Sequence, residues 1–195
     1  MDRQQLRQQM RADRRALSRQ QQNLAAQRLC RQIARSAPFQ RARRVAFYLA
    51  TDGEISPKPL LELALKMGKA CYLPVLHPIR HNRLWFVRYR PGCAMSRNRF
   101  GIDEPHDKLN PRVPAWSLDL VLLPLVAFDP QGGRLGMGGG FYDRSFAFKR
   151  RIAGGHKPRL IGLAHELQKV ERLSLASWDI PLEAIASDRN LYRCG

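Results

Sequence analysis

The order of elements in residues 44–75 constrains the fold more than any other part of the sequence. Residues 44–50 (RVAFYLA) read as a strand, and residues 70–75 (ACYLPV) read as another. Between them Ser56 and Pro57 begin a helix that runs to Met67, where Gly68 ends it. A strand, a helix and a strand within about 30 residues predict a right-handed βαβ crossover and a parallel sheet. We therefore expect an α/β protein, and its 195 residues fit one compact domain.

The remaining segments fit the same class. Residues 3–17 lack glycine and proline and predict a first helix, and the capping pattern at Ser18 predicts a second helix that buries Leu24, Leu29 and Ile33. Further strands are predicted at residues 83–89 (an edge or hairpin strand), 120–128 (a buried strand) and 159–164. Residues 90–117 are rich in proline and read as an irregular connection.

The most specialised stretch follows the buried strand. Glycines cluster in residues 132–140, and a helix is predicted to begin after Gly140, to run through Ile152 and to end at Gly154 and Gly155. Backbone amides of such a loop can approach a ligand closely and attract phosphate. The stretch GMGGGF is neither a Rossmann fingerprint nor a Walker loop, because it lacks the third glycine of the first and the lysine of the second. A flexible connection remains the alternative.

Charged residues suggest what else surrounds this loop. Arg3, Arg7, Arg11 and Arg14 recur on one side of the first helix, where they form either a solvated basic face or a clamp for phosphate. Glu54 lies just past the first strand, at the sheet edge where α/β proteins bind ligands. Its alternative is an ordinary surface acid ahead of a helix.

Composition narrows the function classes. The chain has a formal charge of +18, which is consistent with nucleic-acid binding, with small polyanionic ligands or with a composition that favours arginine. It contains no apolar run of about 18 residues and no apolar leader, so we expect a cytoplasmic protein that does not bind membranes. Its four cysteines are far apart and predict reduced thiols.

Several motifs together resemble one family along essentially the whole chain. They are the N-terminal arginine row, TDGE at 51–54, FGIDEP at 100–105, PLVAFDPQGGRLGMGGGFYDR at 124–144, and GLAHELQKVERL with WDIPLEAI at 162–185. This set resembles 5-formyltetrahydrofolate cyclo-ligase, also called methenyltetrahydrofolate synthetase. The resemblance implies a single three-layer α/β domain over residues 1–195, with a mainly parallel, Rossmann-like sheet flanked by helices. It also implies the conversion of 5-formyltetrahydrofolate and ATP, with Mg²⁺, into 5,10-methenyltetrahydrofolate, ADP and phosphate.

The resemblance, together with the arginine row, assigns roles to named residues. ATP is expected at Arg3, Arg7, Arg11, Arg134, Gly136, Gly138, Gly139, Gly140 and Tyr142. The folate is expected at Leu49, Glu54 and Tyr142, and Mg²⁺ at Asp143 and Asp179, while Arg134 and Tyr142 are the expected catalytic residues. Some family members carry a basic residue where this loop has Met137 and Gly139, so we expect the helix arginines to supply that charge.

The chemistry of the family explains these residue types. A formamide oxygen is a poor nucleophile, and the family is thought to phosphorylate it before N10 attacks the formyl carbon. Such a transfer needs cations and backbone amides around the moving phosphoryl group rather than a nucleophilic side chain. Nucleic-acid binding is the weaker alternative, because no RNA- or DNA-binding motif accompanies the charge. Surplus charge could also attract a polyglutamylated folate.

Overall fold

A computed structural model describes residues 2–106, 108–151, 157–173 and 179–194. The helices of these residues are α1 (Arg3–Ala16), α2 (Arg19–Ala34), α3 (Ala37–Arg41), α4 (Lys58–Lys66) and α5 (Phe141–Ser145), with 3-10 helices at Ala115–Ser117, Ala147–Arg151 and Glu166–Gln168. The strands are β1 (Arg44–Ala46), β2 (Ala70–Leu76), β3 (Leu84–Arg88), β4 (Met95–Arg97), β5 (Asp103–Pro105), β6 (Arg112–Val113), β7 (Leu120–Pro124), β8 (Ala127–Phe128), β9 (Arg134–Leu135), β10 (Arg159–Leu163), β11 (Ala184–Ala186) and β12 (Leu191–Arg193). None of the described helices is long and apolar enough to cross a membrane.

One large sheet organises the fold. Its order is β12-β11-β10-β7-β1-β2-β3-β6. The strands from β11 through β2 pair in parallel, whereas β12 and β3 join antiparallel, as does β6 against β3. The predicted parallel pairing of β1 with β2 across α4 is confirmed, with Val45 opposite Cys71.

Each face of the sheet carries its own apolar core. On one face Leu29 and Ile33 of α2 and Leu60 of α4 are buried with side chains of the central strands. On the other face Phe146, at the end of α5, packs with Phe86 and further strand residues. Helices or helical turns therefore cover both sides, and the mixed α/β class with a mainly parallel sheet is confirmed.

Three details of the predicted elements were wrong. The run 120–128 is divided into β7 and β8. Residues 83–89 were expected to form an edge or a hairpin strand, and the hairpin is confirmed, because β3 pairs antiparallel with β2 while β6 covers its other side. The helix after Gly140 ends at Ser145, where Phe146 leaves helical geometry and turns into the core, and a 3-10 helix follows. Leu24 is 43% exposed, since α2 buries the side that carries Leu29 and Ile33. The predicted helix end at residues 152–155 lies outside the described residues.

The carboxyl ends of the parallel strands bring the predicted site together. The Thr51-Glu54 turn follows β1, Leu125 follows β7, and His165 follows β10, so all three lie at one edge of the sheet. Helix α1 packs across this edge and contacts β8 and the 3-10 helix Glu166–Gln168. The N-terminal helix is thus part of the same region as the strand ends.

Candidate active site

The turn after β1 holds Glu54 in a nearly buried position. The Glu54 side chain is only 9% exposed, and its Oε2 accepts a hydrogen bond from the backbone amide of Thr51 at 3.0 Å. Arg14 Nη2 lies 3.8 Å from the other carboxylate oxygen. Burial raises the pKa of Glu54, although the Thr51 amide and the Arg14 charge act in the opposite direction. Glu54 is therefore not the exposed surface acid of the alternative interpretation.

Tyr142 lies near enough to Glu54 for the two side chains to interact electrostatically. It lies in the first turn of α5, with its ring parallel to that of Phe146 and the ring centroids 6.5 Å apart. Burial, together with the nearby Glu54 carboxylate, raises the pKa of Tyr142, so its hydroxyl remains protonated at neutral pH. Leu49 follows β1 and is packed partly against the core. The structure thus brings the predicted folate residues Glu54 and Tyr142 close together from distant parts of the sequence.

The glycine loop, residues 136–140, is held by its carbonyl groups. Arg7 Nε donates to the Gly136 oxygen at 2.8 Å, while Asn82 Nδ2 and Arg144 Nη1 donate to the Gly139 oxygen at 3.0 and 2.6 Å. The amides of residues 136–140 donate no hydrogen bond to any residue that the structure describes. Free amides on a tethered loop suit an anionic ligand. The flexible-connection alternative is therefore less favoured.

Two of the loop glycines require their residue type. Gly138 and Gly140 have φ angles of +94° and +65°, in the left-handed region that side-chain-bearing residues rarely adopt. Gly140 also begins α5, which places Tyr142 and Asp143 immediately beyond the loop. The left-handed backbone at Gly140 therefore places the side chains of Tyr142 and Asp143 directly after the free amides of the loop.

The arginine row divides into two functional pairs rather than acting as one clamp. Arg7 reaches the glycine loop, and its pKa is lowered by burial and by the neighbouring charge of Arg3. One and two turns farther along α1, Arg11 and Arg14 both donate to Asp52 Oδ2, at 2.7 and 2.9 Å. Arg11 is thus already paired through its Nε, and a phosphate contact would have to use its terminal nitrogens. Of these arginines, Arg7 is the one that contacts the glycine loop.

Arg134 and Asp143 form an ion pair beside the loop. The nearly buried guanidinium of Arg134 donates through Nη2 to Asp143 Oδ1 and through Nη1 to the Ile180 carbonyl. The Ile180 amide donates to the same Asp143 oxygen at 3.2 Å. These bonds place Asp143 beside the segment that begins with Asp179. Arg134 therefore orients Asp143 as well as lying near the loop.

The two acids fit Mg²⁺ only as a partial set of ligands. Asp143 Oδ1 already accepts two hydrogen bonds, and no group of three His, Cys, Asp or Glu residues that could hold a metal occurs in the described ranges. Mg²⁺ commonly binds through one or two carboxylates, water and nucleotide phosphates. An ion held by Asp143 and Asp179 would therefore need further oxygens from a nucleotide and water, because the described residues form no closed protein cage.

The basic aromatic stretch that motivated the nucleic-acid alternative packs against its own chain. Phe86 is buried, the Arg112 guanidinium lies 4.0 Å from the ring centroid of Trp85, and the His77 ring lies 4.5 Å from it. Arg88 lies over Tyr72 at 5.5 Å. These contacts account for the alternation of arginine and aromatic residues by packing within the fold.

Comparison with known proteins identifies the family of this chain. The 5-formyltetrahydrofolate cyclo-ligase family model matches residues 1–188. The chain belongs to the 5-formyltetrahydrofolate cyclo-ligase family. It is 39% identical over 183 residues to the Escherichia coli K12 5-formyltetrahydrofolate cyclo-ligase, covering 94% of this chain and 98% of the relative. It is 41% identical over 180 residues to the Haemophilus influenzae 5-formyltetrahydrofolate cyclo-ligase, covering 92% of this chain and 94% of the relative.

Solved structures extend the likeness to the fold. The NMR structure of Aquifex aeolicus 5,10-methenyltetrahydrofolate synthetase superposes with a TM-score of 0.82 at 30% identity, covering 99% of this chain and 93% of the other. A 5,10-methenyltetrahydrofolate synthetase from Mycoplasma pneumoniae shares the fold, with a TM-score of 0.74 at 22% identity and coverage of 97% and 100%. The family membership expected from the sequence motifs is confirmed.

The sequence did not single out several residues that shape the site. Asp52 pairs with the first helix, Asn82 holds the glycine loop, and His165 Nε2 lies 3.2 Å from the Gly53 carbonyl oxygen. Asp52 was visible as part of TDGE, but its hydrogen-bond partners Arg11 and Arg14 lie 41 and 38 positions away in the chain. No local sequence pattern reveals contacts of that kind.

Proposed function

We propose that this enzyme converts 5-formyltetrahydrofolate to 5,10-methenyltetrahydrofolate at the expense of ATP, through a phosphorylated formyl intermediate. Family membership supports the folate reaction. Two observations support the site assignment: Arg7 donates a hydrogen bond to the glycine loop, and Tyr142, two residues beyond that loop, is near enough to Glu54 for the carboxylate to raise its pKa. These groups come from three separate parts of the chain, and together they offer partners for a pterin ring and for phosphates.

Glu54 and Tyr142 bind and orient the folate in this proposal. A buried carboxylate accepts hydrogen bonds from the N–H groups of a pterin ring strongly, because water does not compete with them. Tyr142 lies in the first turn of α5, directly after the glycine loop, and its protonated hydroxyl can donate to the formyl or phosphate oxygens. Leu49 supplies apolar contact beside Glu54.

The glycine loop and Arg7 bind the phosphates of ATP. Amides of Gly136, Gly138, Gly139 and Gly140 meet the phosphate oxygens, and the guanidinium of Arg7 supplies the cation that Met137 and Gly139 do not. Arg3 lies one turn before Arg7 on α1 and contributes from the more exposed end of the helix. This arrangement is consistent with the expectation that the charge arrives from outside the loop.

The reaction then proceeds in two steps. The formyl oxygen attacks the γ-phosphorus of ATP, the bond to the β,γ-bridging oxygen breaks, and ADP leaves. N10 next attacks the activated formyl carbon, the carbon–oxygen bond breaks, and N10 gives up its proton as inorganic phosphate departs. Both steps move negative charge among oxygens that fixed amides and guanidinium groups stabilise without reorganising.

Arg134 positions Asp143 for the metal in this scheme. Mg²⁺ bound with ATP would be supported by Asp143 and Asp179 and would neutralise charge on the β- and γ-phosphates. Arg134 holds Asp143 beside the Ile180 carbonyl, and Asp179 is the residue that precedes Ile180 in the chain.

An isotope experiment tests the phosphorylated intermediate. Substrate carrying ¹⁸O in the formyl group is incubated with enzyme, ATP and Mg²⁺, and the released phosphate is analysed by mass spectrometry. The proposal predicts that each phosphate released with product carries the formyl ¹⁸O. Label that appears in water instead, with unlabelled phosphate, would contradict the intermediate while leaving the family assignment intact.

A further inference from the structure

A buried arginine connects α1 to the turn that carries the folate-facing acid. Arg14 is the one fully buried residue of α1, with no exposed surface. Its Nε donates to the Asp52 carbonyl at 2.8 Å and its Nη2 to the Asp52 carboxylate at 2.9 Å, while its Nη1 lies 3.4 Å from the Leu125 carbonyl. A single guanidinium thus ties α1 to the ends of both β1 and β7.

The turn that Arg14 holds is in an uncommon conformation. Asp52 is a non-glycine residue with a φ of +52°, and Gly53 follows with a φ of +75°. Left-handed backbone at Asp52 costs free energy and persists only when neighbouring groups fix it. Glu54 is the next residue along the chain, so the geometry of this turn determines where its carboxylate points.

Close packing and further hydrogen bonds also hold the Asp52-Gly53 turn against α1. A Cβ added at Gly53 would lie 2.8 Å from the Arg14 carbonyl oxygen, closer than real Cβ atoms approach. Gln22 Nε2 donates to the carbonyls of both Arg14 and Gly53, at 3.0 and 3.1 Å. His165 Nε2 contacts the Gly53 carbonyl from the end of β10. The backbone of α1 and the backbone of the turn are therefore in direct contact.

We propose that Arg14 is a positioning residue that fixes Glu54 for folate binding through the Asp52-Gly53 turn. This role rests on the proposed function of Glu54. Arg14 acts in two ways. Its forked hydrogen bonds set the turn, and its charge lies 3.8 Å from the Glu54 carboxylate, where it favours the ionised form. It touches neither folate nor ATP in this assignment.

The charge of Arg14 should affect the pH dependence of folate turnover, which a purely structural role would leave unchanged. The groups that face Glu54 are Arg14 from α1, Asp52 from its own turn, Tyr48 after β1 and Tyr142 from α5. Arg14 is the cation among these four. Its removal raises the pKa of Glu54 further, so the acid limb of kcat/KM for folate moves to higher pH, because ionised Glu54 is the binding form.

The test compares substitutions at one position in the full-length enzyme. Arg14→Met removes both the positive charge and the guanidinium hydrogen bonds to the turn. It is expected to raise KM for 5-formyltetrahydrofolate at least about tenfold, while KM for ATP stays within about twofold. Arg14→Lys keeps the positive charge but loses the paired guanidinium hydrogen bonds. The KM for folate should therefore rise, while the acid limb of the kcat/KM pH profile stays near that of the wild type. Equal increases in both KM values with an unmoved acid limb would overturn the role.

Arg15 offers a matched control, and Gly53 offers a second substitution that tests the same turn. Arg15 also pairs with Asp52, at 3.3 Å, but its side chain is 52% exposed, and Arg15→Ala should leave both KM values near wild type. Gly53→Ala displaces the turn without changing any charge, and it should raise KM for folate selectively even if the Arg14 variants fold poorly. An unchanged folate KM in Gly53→Ala would also defeat the proposal.

Failure of the proposed function gives a different result. A wild-type enzyme with no folate activity would refute that function, whereas normal wild-type turnover with Arg14 variants that bind folate normally would refute only the positioning role. Calorimetric binding of 5-formyltetrahydrofolate to wild type, Arg14→Met and Arg15→Ala measures the same difference without any dependence on turnover.

Discussion

Arg7 offers the sharpest separation of ATP binding from folate binding. Its Nε is already committed to the Gly136 carbonyl at 2.8 Å, and its Nη1 makes only a long contact of 3.5 Å with the Arg3 carbonyl. Most of the guanidinium donors therefore remain for a phosphate. One hydrogen bond between a charged donor and acceptor contributes about 1.5–3 kcal/mol, so Arg7→Ala should weaken ATP binding about 10- to 150-fold. Loss of the tether to Gly136 acts in the same direction.

The assay is isothermal titration calorimetry with each ligand separately. A non-hydrolysable ATP analogue with Mg²⁺ and 5-formyltetrahydrofolate are titrated into wild type, Arg7→Ala and Arg7→Lys. Folate affinity should change by no more than about twofold, because Glu54 and Tyr142 are not bonded to Arg7. Arg7→Lys should give an intermediate loss for the nucleotide, since it keeps the charge but not the planar fork.

A charge-matched control is available on α2. Arg28 is exposed and makes none of the hydrogen bonds to the loop carbonyls, so Arg28→Ala removes the same formal charge and should leave nucleotide affinity unchanged at 150 mM salt. Equal losses of ATP and folate affinity in Arg7→Ala, or an equal loss of ATP affinity in Arg28→Ala, would refute the assignment of Arg7 to phosphate.

Four further predictions concern other parts of the account. Glu54→Gln should weaken folate binding at least about tenfold with little change for ATP, measured by the same calorimetry, and unchanged folate affinity would remove the residue from the site. Asp143→Asn should raise the Mg²⁺ concentration needed for half-maximal turnover, and wild-type Mg²⁺ dependence would exclude its metal role. Asp129 is 2% exposed and accepts from the amides of Gln131, Gly133 and Leu173, so Asp129→Ala should lower the free energy of unfolding by about 2–4 kcal/mol in urea titrations, and a loss below about 0.5 kcal/mol would contradict this reasoning. Polyglutamylated folate should show a steeper salt dependence of KM than monoglutamylated folate if the +18 charge attracts the tail, and identical slopes would count against it.

The periodic patterns predicted the framework of the fold well. The capping box at Ser18 and Gln21 is present as expected, and the βαβ order of residues 44–75 led directly to the parallel pairing of β1 with β2. These features depend on residues that are neighbours in sequence. Local propensity and apolar spacing are sufficient to predict them.

Local sequence patterns named candidate residues that the structure brings near each other, but they did not reveal which side chains pair. Glu54 follows a strand end and Tyr142 follows the glycine loop, and the structure places the two near each other. The same spacing suggested one continuous row of arginines on α1, yet burial of Arg14 directs it and Arg11 toward Asp52. The orientation of α1 across the sheet edge determines which arginine pairs with Asp52 and which one binds the glycine loop. No pattern of neighbouring residues in the sequence predicts that orientation.

The extent of α5 shows the same limit. Its sequence continues with good helix formers after Ser145, but the core on that face of the sheet accepts Phe146, and the chain changes to a 3-10 helix to place it there. Tertiary packing thereby overrides helix propensity.

The ATP requirement tests the central claim most directly. Purified protein is mixed with 5-formyltetrahydrofolate and Mg²⁺, with and without ATP, and methenyltetrahydrofolate is followed by its absorbance. The account predicts product only when ATP is present, with one ADP formed for each methenyltetrahydrofolate. Product formation at the same rate without ATP, or ADP release without product, would contradict it.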